Sequence, residues 1–202
     1  MYTGLIQEVG VIKENIKRDG VFRVSVNTTK QFLAGLNVGG SIALNGICLS
    51  VTDVGEDGFF ADVTNATALI TNFKYSNVHE EVNLERSAVA GGEVGGHLTA
   101  GHIDTTGRVT KICQVGEAIK LMVIVPEEII KYVFAKGFLA VNGASLTVAE
   151  VEMKCRTLHF NLIPETLRKT TFSSIKVGDH LNIEVEPTTR VLVDTLRRVL
   201  VQ

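Results

Sequence analysis

The sequence predicts an all-β protein with two tandem antiparallel β-barrels and a C-terminal α-helix. Three observations predict this fold class. The chain repeats itself with a period of about a hundred residues, each repeat is a series of short apolar segments separated by tight turns, and the final amphipathic segment has no counterpart in the first repeat. Short strands at this spacing favour closed or nearly closed barrels, because closure removes exposed strand edges.

The internal repeat organises the whole chain. Asn45–Val54 returns as Asn142–Val151, an offset of 97 residues, and Thr3–Ile6 is answered at the same offset by Ala100–Ile103. After a two-residue slip, the remaining matches pair Asp62–Phe73 with Asn161–Phe172 and Val82–Glu85 with Leu181–Glu184. Matches of this length and order indicate two copies of one folding unit.

Most of each copy has the pattern of β-strands, and two short helices interrupt it. Apolar residues alternate or form short runs rich in Val, Ile and Leu, as in Val21–Val26. One helix is predicted over about Thr29–Leu36. Its counterpart is predicted to open at Pro126, with Glu127 and Glu128 in the positively polarised first turn. We expect both helices to plug an end of their barrel.

A third helix is predicted over Thr188–Val201, after the second copy. One face of it is apolar and comprises Val191, Leu192, Thr195, Leu196, Val199 and Leu200. We expect this stripe to be buried against another subunit, and the alternative is that it packs on its own domain. The expected domains are therefore residues 1–96 and 97–187, followed by the C-terminal helix at 188–202.

The composition favours a small-molecule function. The 202 residues include 20 basic and 22 acidic ones, scattered evenly, so no polybasic stripe predicts binding to nucleic acid or a membrane. A small neutral or weakly anionic ligand fits better. The three cysteines, at 48, 113 and 155, are widely spaced and have no metal-binding pattern, so we expect neither disulfides nor a metal. With no signal peptide or spanning segment recognised, a cytoplasmic location is expected.

Seven short motifs, in order across the duplication, resemble riboflavin synthase. They are MYTGLI at 1–6, NGICL at 45–49, GGHL at 95–98, GHID at 101–104, KGF at 136–138, GASLTV at 143–148 and LIPETL at 162–167. The resemblance implies two six-stranded Greek-key barrels, each holding one 6,7-dimethyl-8-ribityllumazine. One lumazine gives four carbons to the other, which yields riboflavin and 5-amino-6-(ribitylamino)uracil.

The resemblance also implies an assembly and a set of partners. The chain is expected to form a homotrimer in which the first barrel of one subunit faces the second barrel of a neighbour. No metal or redox cofactor is implied, and lumazine synthase is a further candidate partner. Residues 188–202 would then be the trimerisation helix.

Five residues are candidates for catalysis. A base near neutral pH would remove a proton from a lumazine methyl group, and His102 is our candidate, the alternative being a purely structural hydrogen bond. Cys48 or its repeat partner Ser145 would contact the ring that accepts a nucleophile, although a lone strand cysteine is often a small core residue. The resemblance adds Ser41 from the first barrel and Glu186 from the second.

The candidate binding residues follow the same motifs in both copies. Hydroxyl partners for the ribityl chain are expected on matching strands, among them Ser50 and Thr147, with Thr52 as a further strand hydroxyl. The first-copy set is Gly4, Leu5, Ile6, Cys48, Leu49, Ser50, Asp62, Val63, Thr64, Asn65, Ala66 and Thr67. The second-copy set is Gly101, His102, Ile103, Lys136, Ser145, Leu146, Thr147, Leu162, Ile163, Pro164, Glu165 and Thr166.

The chain departs from the riboflavin synthase pattern at several positions. It has Tyr2 where the family usually has Phe, Ser50 where it has Thr, and Glu186 where it has Asp. The triplet at 65–67 is Asn-Ala-Thr, where the family carries a charged residue. That loss points to an alternative, a lumazine protein that binds lumazine or flavin for bioluminescence without converting it. The motifs kept in both copies favour the synthase.

Overall fold

The computed structural model describes residues 1–200 and contains two closed antiparallel barrels of six strands each. The first barrel comprises β1 (Glu8–Arg18), β2 (Val21–Asn27), β3 (Ser41–Leu44), β4 (Ile47–Val54), β5 (Gly58–Thr64) and β6 (Glu81–Arg86). The second comprises β7 (Thr105–Val115), β8 (Ala118–Ile124), β9 (Phe138–Val141), β10 (Ala144–Glu152), β11 (Thr157–Leu162) and β12 (His180–Val185). The predicted fold class is confirmed.

Both barrels have the same strand order. Around the first barrel the order is β1-β2-β5-β4-β3-β6, and β6 pairs with β1 to close it. The second barrel has the equivalent order, β7-β8-β11-β10-β9-β12, closed by β12 and β7. The two-residue slip in the repeat falls in one hairpin: β10 is one residue longer than β4, and the turn between β10 and β11 is one residue longer than the turn between β4 and β5.

In the part of the chain that the structure describes, five α-helices accompany the barrels, together with two 3-10 turns at Asn72–Tyr75 and Thr171–Ser174. The helices are α1 (Lys30–Leu33), α2 (Asn65–Ile70), α3 (Glu127–Ile130), α4 (Pro164–Lys169) and α5 (Pro187–Leu200). Within residues 1–200, none of them is long and apolar enough to cross a membrane.

The helix predictions need three corrections. The helix predicted over Thr29–Leu36 is one turn, Lys30–Leu33, capped by the Thr29 side chain. Pro126 precedes α3 with extended backbone, so it is the N-cap and not the first helical residue. The third helix begins at Pro187, and Val201 lies outside the described residues.

Two further helices, α2 and α4, were not predicted. They are equivalent in the repeat and too short, at six residues, to show a helical period. Thr64 caps α2 by accepting a hydrogen bond from the Thr67 amide, and Pro164 starts α4 with a backbone angle already suited to a helix.

Each barrel has its own apolar core. In the first barrel α1 buries Phe32 and Leu33 against the strands, and in the second α3 buries Ile129 and Ile130. Aromatic rings at the equivalent 3-10 turns, Phe73 and Phe172, are almost fully buried. The interiors are filled with side chains, so any ligand must lie at the outside of a barrel wall or at a barrel end.

Four buried asparagines join the barrels through a nearly symmetric network. Asn45 and Asn83 bond to each other within the first barrel, as Asn142 and Asn182 do within the second. Across the junction, the side-chain amide of Asn83 donates to the backbone carbonyl of Asn142, and the side-chain amide of Asn182 donates to the backbone carbonyl of Asn45, both at 2.9 Å. Each barrel therefore satisfies a buried backbone carbonyl of the other.

Two glycines allow this close approach. Asn45 and Gly46 both have positive φ, 46° and 81°, as in a type I′ hairpin turn, and Asn142 and Gly143 repeat this at 44° and 80°. A Cβ on Gly46 would lie 2.7 Å from the Gly143 nitrogen, and one on Gly143 would lie 2.8 Å from the Gly46 nitrogen. The two turns pack back to back and leave no room for a side chain.

Substitution Asn182→Ala is expected to lower the free energy of unfolding by about 3 kcal/mol. It leaves the Asn45 carbonyl and the Asn72 amide without their partners, and an unpaired buried polar group costs about 1–3 kcal/mol. Urea unfolding at a fixed protein concentration measures the change. The exposed Asn37→Ala, which loses only a 3.4 Å bond to Gly35, is the matched control. Equal midpoints for the two variants would contradict the role of the network.

Candidate functional site

The segments that precede β1 and β7, around Tyr2 and Thr99, cross each other, and we call them the leading segments. Tyr2 and Thr99 form an antiparallel bridge, in which the Tyr2 amide donates to Thr99 at 2.9 Å and the Thr99 amide donates to Tyr2 at 3.0 Å. The two residues are equivalent in the repeat. The crossing therefore lies at the local pseudo-twofold axis between the copies.

A buried glutamate in each barrel fixes one of these leading segments. Glu85 on β6 accepts hydrogen bonds from the Thr3 amide at 2.7 Å, the Thr3 hydroxyl at 2.8 Å and the Gly4 amide at 3.1 Å. Glu184 on β12 accepts from the amides of Ala100 at 2.6 Å and Gly101 at 3.1 Å. Burial raises the pKa of both carboxyls, and the backbone donors oppose that shift.

Once fixed, each leading segment covers a strand of the other barrel. The Gly101 carbonyl accepts from the Cys48 amide on β4 at 2.9 Å, and the Gly4 carbonyl accepts from the Ser145 amide on β10 at 2.8 Å. A Cβ on Gly101 would lie 2.5 Å from the Cβ of Cys48, so only glycine fits there. The wall beside each candidate nucleophile therefore comes from the other copy.

The side chains that follow these glycines confirm the exchange. Ile103, from the second copy, belongs to the apolar core of the first barrel. Ile6, from the first copy, packs against the core of the second barrel. The exchange is therefore held by buried apolar contacts as well as by hydrogen bonds.

The exchange produces a cavity of about 220 Å³ on the first barrel. Its lining comprises Ile47, Cys48, Thr67, Ile70, Thr71, Gly101, His102 and Ile103. Cys48 is half-buried and His102 is exposed, so both are accessible to a ligand there. The structure thus brings together predicted residues that lie more than fifty positions apart in the sequence.

The equivalent place on the second barrel has different chemistry. Leu5 is the repeat counterpart of His102, so the second barrel has an apolar side chain at the position where the first has the His102 imidazole. Ser145 instead lies 2.6 Å from Nδ1 of His97, whose ring stacks on Phe138 at 5.5 Å between centroids. The two positions that the repeat makes equivalent thus have different polar neighbours.

His97 is a site residue that the sequence reasoning missed. It is only 7% exposed, and its Nε2 has no hydrogen-bond partner within the described residues. Burial lowers the pKa of His97, and the charge of Glu186 opposes this effect. The indications in the sequence were its place in the Gly-rich junction and in the GGHL motif at 95–98.

Burial separates the predicted strand residues into two groups. Ser50 and Thr147 are exposed on the same faces of β4 and β10 as Cys48 and Ser145. The side chains of the other group are buried in the barrel cores, so only their backbone can face a ligand. This group comprises Leu49, Val63, Leu146 and Leu162.

The two equivalent triplets, residues 65–67 and 164–166, lie on helices and not on strands. Thr67 and Thr166 are in α2 and α4, where each backbone carbonyl accepts from a threonine four residues later. Glu165 forms an exposed ion pair with Arg168, while its counterpart Ala66 has no polar side chain. Of the remaining predicted residues around these helices, Asp62, Thr64, Asn65, Ile163 and Pro164 are exposed.

The other candidates occupy the ends of strands. Ser41 begins β3 opposite Ser50, and its carbonyl accepts from the Ser87 hydroxyl at 3.0 Å. Lys136 precedes β9 with a φ of 68°, and its side chain is exposed. Neither side chain makes a hydrogen bond within residues 1–200.

Glu186 caps the C-terminal helix. Its carboxylate accepts from the Thr188 amide at 2.9 Å and from the Thr189 amide and hydroxyl at 2.6 and 2.7 Å. Burial opposes ionisation, but these hydrogen bonds outweigh it and lower the pKa of Glu186 to about 2. The group is therefore a carboxylate at neutral pH, oriented by α5.

A larger groove of about 720 Å³ lies beside the asparagine network. It is lined by the two 3-10 turns and the loops that follow them, including Tyr75, His79, Lys176 and His180. None of the predicted site residues lines it. The smaller cavity is lined by five of them, namely Cys48, Thr67, Gly101, His102 and Ile103.

Comparison with known proteins agrees with the duplicated fold. The model of the lumazine binding domain matches the chain twice, at residues 3–87 and 100–186. The chain belongs to the lumazine binding domain family. Within this family, it is 38% identical to a riboflavin synthase of Escherichia coli over 99% of this chain and 93% of that protein. A riboflavin synthase of Photobacterium phosphoreum is 37% identical to it over 95% of this chain and 87% of that protein.

Solved structures of this lumazine-binding fold superpose closely. LumP complexed with riboflavin has a TM-score of 0.85 at 24% identity, and covers 92% of this chain and all of its own. LumP complexed with 6,7-dimethyl-8-(1'-D-ribityl) lumazine has a TM-score of 0.82, also at 24% identity and 92% of this chain, with 99% of its own covered. At this identity the likeness establishes the fold.

The buried His97 is expected to make stability depend on pH. Its pKa is lower in the folded state, so below about pH 6.5 the unfolded chain binds a proton that the folded chain does not. The stabilisation is therefore complete above this pH and is lost as the pH falls. Between pH 7.5 and 5.5, His97 contributes a loss of at most about 1.4 kcal/mol.

Urea unfolding of His97→Asn at these two pH values measures this contribution. The variant should lose less stability on acidification than the unmodified protein. His79→Asn is the control, since His79 is exposed and asparagine tolerates its φ of 73°. An unchanged pH dependence in His97→Asn would show that this imidazole is not the group responsible.

Proposed function

We propose that the chain is a riboflavin synthase, which converts two molecules of 6,7-dimethyl-8-ribityllumazine into riboflavin and 5-amino-6-(ribitylamino)uracil by transfer of four carbons. Riboflavin synthases 33–38% identical to it over nearly the whole chain support this activity. The structural observation that carries the proposal is the pair of related but unequal sites, each completed by the other copy.

Two unequal sites suit a reaction between two identical molecules. One lumazine must lose a methyl proton while the ring of the other undergoes addition of a nucleophile, so the two molecules need different surroundings. The first site offers Cys48 with the imidazole of His102, and the second offers Ser145 with His97. Two equivalent positions with unequal reactive groups meet that requirement.

Each candidate residue has a role in this proposal. His102 is the base that removes the methyl proton, and Cys48 or Ser145 contacts the ring carbon that undergoes addition. Ser50, Thr67 and Thr147 hold ribityl hydroxyls, and each is accessible to a ligand. Ser41 from the first barrel and Glu186 from the second complete the set of catalytic candidates. Glu186 is ionised because it accepts hydrogen bonds from the first residues of α5.

We further propose a homotrimer formed through α5. This helix buries none of its residues, and Leu192 and Leu196 are 60% and 53% exposed. Its polar side is held on the second barrel, because Arg190 pairs with Asp104 and Asp194 accepts from the Tyr132 hydroxyl at 2.6 Å. The helix is thus fixed in place with its apolar stripe outward, which supports contact with another subunit.

The trimer would bring the first barrel of one subunit to the second barrel of a neighbour, so that the two lumazines meet. We place this reaction in the cytoplasm, where three unpaired cysteines are stable, and lumazine synthase is a candidate partner as the supplier of the substrate.

Incubation with 6,7-dimethyl-8-ribityllumazine alone is expected to produce riboflavin, which chromatography with absorbance detection measures. His102→Asn should lower the rate by on the order of a hundredfold if the imidazole is the base. His79→Asn should leave the rate unchanged, because that histidine is exposed and does not line the cavity.

Two outcomes would count against this activity. Bound, fluorescent lumazine with no riboflavin after several hours would indicate a lumazine carrier instead. Full activity in His102→Asn would leave the synthase intact but remove His102 from its proposed role.

The double variant Leu192→Glu, Leu196→Glu is expected to sediment mainly as a monomer with little turnover. Charges placed on the apolar stripe would have to be desolvated in a subunit interface. The control Arg197→Glu, Arg198→Glu alters the opposite face of the same helix and should remain a trimer. Sedimentation velocity distinguishes the species, and an intact, active trimer in the leucine variant would disprove the interface.

A further inference from the structure

The repeat-equivalent residues Cys48 and Ser145 have partners of different kinds. The hydroxyl of Tyr2 lies 3.1 Å from the sulfur of Cys48. The repeat counterpart of Tyr2 is Thr99, and Ser145 bonds instead to His97. The phenol is therefore a feature of the first site alone, and the proposed reaction leaves it unused.

Tyr2 is held rigidly, so its hydroxyl has little freedom to leave the sulfur. Its side chain is 1% exposed, and both its amide and its carbonyl bond to Thr99. A Cβ on Gly101 would lie 3.0 Å from Cε2 of the ring, so the covering segment packs directly on the phenol. The ring is thus confined between the crossing backbones.

The direction of the hydrogen bond follows from the burial of the phenol. Burial, followed by the bond to Cys48, raises the pKa of Tyr2 far above its usual value. The phenol therefore keeps its proton at neutral pH and donates a hydrogen bond to the sulfur. A donor of this kind stabilises a thiolate more than a thiol, because hydrogen bonds to charged acceptors are stronger.

The other groups around the Cys48 sulfur do not donate a hydrogen bond to it. In the cavity, α2 contributes Thr67 and Ile70, and Thr71 follows the helix; none of the three carries a charge. The segment that covers β4 contributes His102. Behind the two segments, Glu85 and Glu184 bond to backbone amides. Tyr2 makes the one hydrogen bond to the sulfur among the described residues.

We infer that Tyr2 is a positioning residue, whose hydroxyl directs the Cys48 sulfur at the first-barrel cavity and increases its reactivity toward an electrophile there. This inference rests on the proposed function only in assigning the cavity to a lumazine. The contact between phenol and sulfur, and its effect on thiol reactivity, hold without any ligand.

Alkylation of Cys48 by iodoacetamide across a range of pH tests the effect without lumazine. Peptide mapping follows Cys48, and Cys113 in the second barrel is an internal control. In Tyr2→Phe, alkylation of Cys48 should be about tenfold slower than in the unmodified protein, because the sulfur loses its hydrogen-bond donor. Tyr75→Phe is the matched control, since Tyr75 is 48% exposed and stacks on His180.

An unchanged Cys48 profile in Tyr2→Phe would overturn the inference. Should the half-buried sulfur prove unreactive, a double-mutant cycle of Tyr2→Phe and Cys48→Ala in urea decides the question. The equilibrium constant for unfolding should show a coupling of about fivefold, the usual strength of such a bond, and independent effects would overturn the inference.

Turnover then shows whether Tyr2 acts through the sulfur. Tyr2→Phe should lower kcat while KM changes little, and in the Cys48→Ala background it should lower kcat no further. Additive losses would assign Tyr2 a role independent of Cys48. Loss of riboflavin formation in the unmodified protein would refute the proposed function, while the alkylation result would still decide the phenol–sulfur contact.

Discussion

The site depends on the contact between the two Asn-Gly turns. These turns can meet only because neither glycine has a side chain, and their buried carbonyls are satisfied only by asparagine amides from the opposite barrel. The contact fixes the barrels at one orientation. In that orientation the leading segments cross, and each glycine of a segment comes against the strand that carries Cys48 or Ser145.

The near symmetry of the junction makes its exceptions informative. The backbone pattern of the crossing segments is the same on both sides, with a buried glutamate, a glycine and an isoleucine in equivalent places. The polar side chains are not the same, since His102 corresponds to Leu5 and Tyr2 to Thr99. The duplicated framework thus places Cys48 and Ser145 equivalently, and a few substitutions give the two positions different polar neighbours.

Much of the fold could be predicted from the sequence, because the repeat and the alternation of apolar residues are both local patterns. The Asn45-Gly46 turn and its counterpart were identifiable for the same reason. Short helices such as α2 were missed, since six residues show no period. His97 was missed because its importance comes from a contact with Ser145, 48 residues away, that no local pattern encodes.

The exchange of leading segments bears on how such a protein could have arisen. A single repeat folded alone would leave its β4 strand uncovered and its own leading segment without a surface to pack on. Two identical repeats could cover each other by twofold symmetry, each lending its segment to its neighbour. The chain then has the form of such a symmetric pair joined into one polypeptide by gene duplication and fusion. Fusion would have freed the two halves to diverge, so that a pair of equal binding surfaces became a pair with separate roles.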